Sequence, residues 1–243
     1  MDWFIVREPT SAWTHFAWMV LAIPGTILLL WLSRQRPVTQ FSMLVFGLST
    51  MFCMLGSFLF HAAPASMVAP FDEMDHIGIY VMIAGTVTPI AILGLRGRWR
   101  GGLLVGIWAL AATGITIRLI AQPPLAVRTA FYLIMGWIGI VTYFQLARHL
   151  SHRQVSLIWI GGLLYTIGAV INVRNWPTFN ARWFDAHALF HIFVMAGNLA
   201  HFTFMVIVLM HQREPRTNFT AATPVTFRNS KKPALAPQQP QNV

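Results

Sequence analysis

The stretch 187-HALFH-191 places two imidazoles four residues apart. In a helix that spacing puts them on one side, about one turn apart, which suits two ligands to one metal ion. Ser57 and His61 repeat the spacing in 57-SFLFH-61, and Asp75 with His76 follows as an Asp-His pair. The residues around His187 and His191 are otherwise apolar, and an ionisable side chain in lipid is costly and generally functional. Two imidazoles from one helix and a third from a neighbour make a three-nitrogen site, which leaves a tetrahedral zinc one position for water. That is the catalytic pattern, because zinc brings the pKa of its water to about 7. Asp75 is then placed to orient that water or move its proton, with Ser57 as a supporting hydrogen bonder.

These side chains need helices in a membrane to position them. Of 243 residues 56% are hydrophobic and only 10% charged, with 10 Trp and 18 Phe, and the mean hydropathy is +0.59. Such a composition excludes an ordinary soluble domain. Apolar segments of about 20 residues, the length a helix needs to cross hydrocarbon, alternate with short clusters of Arg, Pro, Gly and Asn. The roughly ten-residue alternation of a membrane β-barrel is missing from the sequence. The expected fold is all-α, a polytopic bundle of seven transmembrane helices at Ala12 to Leu32, Phe41 to His61, His76 to Leu95, Gly101 to Ile120, Thr129 to Ala147, Val155 to Val173 and Phe184 to His211. The first span is too long and too lightly preceded by positive charge for a cleaved signal peptide. An odd number of spans without an internal repeat argues against a two-halved transporter. The single cysteine, Cys53, allows neither an intramolecular disulfide nor a thiolate metal cluster. Residues 1–211 thus read as the membrane domain, and 212–243, rich in Pro, Gln and basic residues, as a disordered tail.

The net charge is +10. The basic residues are spread over loops and tail rather than along one face of a soluble module, so anionic membrane lipids, not nucleic acid, are the expected partners. Seven crossings put the N-terminus and the loops after the even spans on one side. Five of the 17 Lys and Arg lie there and twelve on the other side, five of the twelve in the tail. By the positive-inside rule this count leans to an external N-terminus. Chain parity also gathers His61, Asp75, His76, His187 and His191 near the N-terminal face, together with Glu8, His15 and the acidic loop 72-DE-73. His201 lies ten residues past His191, rotated by roughly 80° and about 15 Å deeper, and is expected to hydrogen-bond another helix. His76 is expected to pack or orient, and Asp185 to sit where a helix N-terminus favours negative charge.

In this order, 7-REPTSAWTHFAW-18, 57-SFLFH-61, 75-DHIGIYVMIAGTVTPI-90 and 187-HALFHIFVMAGNLAHF-202 resemble the hemolysin III branch of the progestin and adiponectin receptor family, with 129-TAFYLIMGWIGI-140 and 161-GGLLYTIGAV-170 fitting between. The resemblance runs to about residue 211 and leaves out the tail. It implies seven transmembrane helices around a zinc ion whose ligands here would be His61, His187 and His191, accompanied by Ser57 and Asp75. The wider superfamily takes in alkaline ceramidases, which implies hydrolysis of lipid amides by zinc-bound water. The family receptors imply a cytoplasmic N-terminus and zinc side, opposite to the charge count. Haemolysis, which the family name implies, has no counterpart in an amphipathic hairpin or a soluble secreted form.

Three functions compete on these grounds. The first is an integral protein of the cell (plasma or inner) membrane that uses Zn2+ to hydrolyse a lipid amide or ester. The second is a non-enzymatic sensor or membrane-homeostasis protein whose zinc only ties span two to span seven. The third, a haem-bearing cytochrome, is disfavoured because histidines one turn apart on one helix suit one ion better than two faces of a porphyrin.

Overall fold

A computed structural model describes residues 6–178 and 184–213, and no strand occurs among them. Seven helical spans are long and apolar enough to cross a membrane. The first two helices, α1 (Pro9–Ser33) and α2 (Pro37–Ala62), each open on a proline, whose missing N–H costs nothing in a first turn. A 3-10 turn (Ala65–Met67) leads into α3 (Val68–Gly94), followed by α4 (Gly97–Ala121). The fifth span is composite: α5 (Leu125–Trp137), a 3-10 stretch (Ile138–Thr142) and α6 (Tyr143–Ala147). α7 (His152–Arg174) starts on a capping box in which Ser151 and Gln154 satisfy each other's backbone N–H groups. α8 (Ala186–His211) starts on Asp185, whose carboxylate accepts from the Ala188 N–H at 2.7 Å. Asp185 is therefore the N-cap of the last span, as the charge at that position suggested.

The helices close into a ring. α1 packs on α2, α2 on α3, α3 on α4 and α5, α5 on α7, α7 on α8, and α8 returns to α1. Tyr80, Met135, Phe204 and Met205 are buried inside, while Trp31, Phe41, Val105 and Ile120 stand exposed on the outside. An apolar outer surface is what hydrocarbon requires, and it gives neighbouring helices no hydrophobic reason to associate. Close packing has to hold them instead. At Gly78 of α3, an added Cβ would lie 2.8 Å from the Cys53 Cα of α2, so the two backbones meet there. Gly78→Ala is expected to destabilise the bundle by about 1–3 kcal/mol, read as an earlier midpoint in detergent unfolding. Gly78 is one turn from Asp75 and Cys53 one turn from Ser57, so the same contact sets the α2–α3 register at the site.

The third helix departs from the sequence reading. It begins at Val68, so 72-DE-73 lies within a helix rather than a loop, and Asp75 and His76 sit about two turns inside rather than at its start. Hydropathy marks where apolar side chains end, not where the backbone hydrogen-bond ladder ends. The charged first turns are neutralised across the bundle: Arg118 of α4 donates to Asp72 at 2.5 Å and stands 3.3 Å from Glu73. The last helix begins at Ala186, two residues after the expected Phe184. The expected tail lies, beyond Arg213, outside the described residues.

Candidate metal centre

Two helices bring three imidazoles together at the N-terminal face. His61 ends α2, and His187 and His191 occupy the first two turns of α8. One ring nitrogen from each lies within 4.8 Å of the other two. His61 and His191 are buried, so this cluster is held by packing and is not a wet pair at a surface.

Hydrogen bonds fix which nitrogens are free. Nδ1 of His61 donates to Oε2 of Glu8 at 2.6 Å, and Nδ1 of His187 donates to Oδ1 of Asn172 at 2.9 Å. Each imidazole therefore presents an unprotonated Nε2, and these two atoms face each other 3.3 Å apart. Two lone pairs at that distance repel unless a cation or a proton lies between them. With zinc–nitrogen bonds of about 2.0–2.1 Å, neighbouring ligands of a tetrahedron stand about 3.3–3.4 Å apart. The pair is spaced as two zinc ligands should be, and the residues fit the ion the resemblance implies.

Glu8 and Asn172 are the orienting partners that hold metal-ligating histidines in one tautomer. The hydrogen bond with His61 keeps the Glu8 carboxyl below the usual carboxylate range, and the Glu8 N–H also donates to the His61 carbonyl at 3.1 Å. Asn172→Ala is expected to weaken zinc binding by about 10–100-fold while keeping all three imidazoles, measured by competition with a chromogenic chelator. His15 of α1 stacks on His191 with ring centroids 3.8 Å apart and planes at 15°. Both of its ring nitrogens are buried without a hydrogen-bond partner among the described residues.

Ser57, one turn before His61, faces Asp75 of α3, and both Ser57 and His61 act on the Asp75 charge. Both residues line the same cavity as His187 and His191, a space of ≈ 420 Å³. From that end it runs between helices past Ile79, Ile83, Leu133, Trp137 and Trp159 as far as Leu103 and Leu146. Its walls are largely apolar. His76 stays outside the triad, with Nδ1 donating to the Asp72 carbonyl at 2.7 Å. His201 is apart from it too, donating through Nε2 to the Ile158 carbonyl of α7 at 3.2 Å, as its depth and rotation required.

Asn172 was missed in the sequence. A signal existed, since it is an amide in the last turn of an apolar span that returns to the same membrane face. Chain parity puts Glu8 and His15 on that face and assigns them no role, because their partners lie 53 and 176 residues away, beyond the reach of local spacing.

Comparison with known proteins adds an independent line. The family model described as Haemolysin-III related matches residues 3–202. Hemolysin-3 of Bacillus cereus is 33% identical over 206 residues, covering 83% of this chain and 91% of the relative. The Hemolysin-3 homolog of Bacillus subtilis (strain 168) is 32% identical over 204 residues, covering 82% and 92%. The adiponectin receptor protein of Drosophila melanogaster is 23% identical over 247 residues, covering 90% of this chain and 54% of the relative.

Proposed function

Because the chain belongs to the haemolysin-III related family and so to the multi-pass membrane proteins that include the adiponectin receptors, we propose that it is a zinc-dependent hydrolase of lipid amides or esters. The observation that carries this reading is the union of a three-imidazole donor set with an apolar cavity lined at the same end by Asp75 and Ser57. A purely structural metal has no need of such a space beside it. Apolar walls of this kind accept an acyl chain from the bilayer, while the polar linkage stops at the histidine end.

His61, His187 and His191 would hold the ion, which when bound supplies Lewis acidity and hydroxide at neutral pH. Glu8 and Asn172 keep the imidazoles in the ligating tautomer and orientation. Asp75 takes the proton released from water and returns it to the departing amine or alcohol, the role of a general base that becomes a general acid. Ser57 holds the Asp75 carboxyl toward the site. The cavity walls fix the acyl chain, so that only the bond at its polar end reaches these groups.

The test is a hydrolysis assay on detergent-purified protein of known metal content, with N-dodecanoyl sphingosine as the amide and a dodecanoyl ester beside it. About one zinc per chain and release of dodecanoate are expected. Stripping the metal with a chelator should stop release, and zinc should restore it. A fully zinc-loaded protein that cleaves neither an amide nor an ester refutes the reading. The second reading, a zinc that only ties α2 to α8, draws on the bonds by which Glu8 already knots α1 to the end of α2.

A further inference from the structure

The cavity contains a cation that nothing in the proposed chemistry uses. Arg128 lines it, is half-buried, and has an Nε–H that is buried without an acceptor among the described residues. Among the described residues no carboxylate forms an ion pair with Arg128. Asp72 and Glu73 pair with Arg118, and Asp72 also lies 3.4 Å from His76 Nδ1. A guanidinium held in an apolar wall without a counter-anion is costly, and its planar fork suits a carboxylate or phosphate.

A second observation points the same way. Arg128 lies in the opening turns of α5, which starts at Leu125 and has no side-chain cap, and Leu125 lines the cavity too. A helix N-terminus carries positive potential that disfavours a cation and attracts an anion. Two sources of positive potential therefore meet at one wall. Tyr132, one turn after Arg128 on α5, lines the cavity as well, and so does Asp75, so the anion subsite and the reacting end open into one space.

We propose that Arg128 and the first turn of α5 bind an anionic group on the amine-derived or alcohol-derived half of the lipid, making the preferred substrate an acylated carboxylate or phosphate. The carboxylate of an acyl amino acid and the phosphate of an acylglycerol phosphate share this chemistry. The inference rests on the reading that the cavity takes a lipid but does not require hydrolysis, so binding tests it separately.

Trp137 and Trp159 line the cavity and report binding through quenching by brominated acyl chains. The full chain, zinc-loaded in uncharged detergent, is titrated with brominated N-dodecanoylglycine and with the matched neutral N-dodecanoylethanolamine. Brominated dodecanoylglycerol phosphate against dodecanoylglycerol gives the phosphate arm. The anionic partner of at least one pair is expected to bind about tenfold tighter or more, the scale of a hydrogen bond to a charged group, and the stronger pair identifies the anion. Arg128→Gln should erase that preference and leave the neutral probe unchanged, while Arg128→Lys should keep part of it. Equal binding within both pairs by the wild type overturns the proposal, and so does a preference that survives in R128Q. If R128Q loses the neutral probe as well, R128K decides, because a variant that binds the neutral probe with no anion preference refutes the site. Binding with the expected preference but no turnover would leave this subsite standing and remove the hydrolase reading.

Discussion

His187→Ala is expected to empty the metal centre and to take lipid hydrolysis below detection, while the helical bundle survives. Zinc measured by elemental mass spectrometry should fall from about one per chain to near zero. The reason lies in the pairing of His187 with His61, whose Nε2 atoms stand 3.3 Å apart with their other nitrogens committed to Asn172 and Glu8. Removing one imidazole leaves two donors, and loss of a ligand should exceed the 10–100-fold penalty of losing an orienting partner. The fold should tolerate the change, because His187 is only half-buried. His61 and His191 are buried more deeply, so their alanine variants carry a cavity cost in addition. Stoichiometric zinc in the triple variant H61A/H187A/H191A would show that the ion binds elsewhere and would end the assignment.

Much of this site was readable before any coordinates. The four-residue spacing of His187 and His191, and of Ser57 and His61, fixes each pair on one helix face, and counting crossings brings the faces to one depth. His201 was separable by the same rules of rise and rotation. The beginning of α3 was not readable, because Asp72, Glu73 and Asp75 look like a loop until Arg118 is seen neutralising the first two from α4. The orienting partners were hidden for a related reason. Glu8 meets His61 across a turn of helix packing, and the pairing of His15 with His191 depends on α8 returning to α1. Helix period and chain parity predict depth and face. They do not predict which neighbour a face meets, and tertiary pairing of that kind produced every role the sequence left blank.

Asp75→Asn is the change expected to separate an enzyme from a structural zinc protein. Asparagine keeps the shape of the side chain and an oxygen that can accept from Ser57, so the α2–α3 contact and the three imidazoles are undisturbed. It cannot take up a proton at neutral pH. If Asp75 moves the proton from water to the leaving group, D75N should lose about 10²–10⁴-fold in kcat, with zinc content and thermal midpoint unchanged and KM little altered. Ser57→Ala should give a smaller loss, because it frees the carboxyl to rotate without removing its chemistry. A zinc that only ties α2 to α8 makes the opposite demand. In that case the carboxylate has no proton to move, and D75N should match the wild type in every measurable function. A third result, loss of zinc in D75N, would make Asp75 a support of the metal centre and return the search for the base to the remaining polar groups of the cavity. His15 would then come first, since its two buried nitrogens have no hydrogen-bond partner among the described residues and it lines the same cavity.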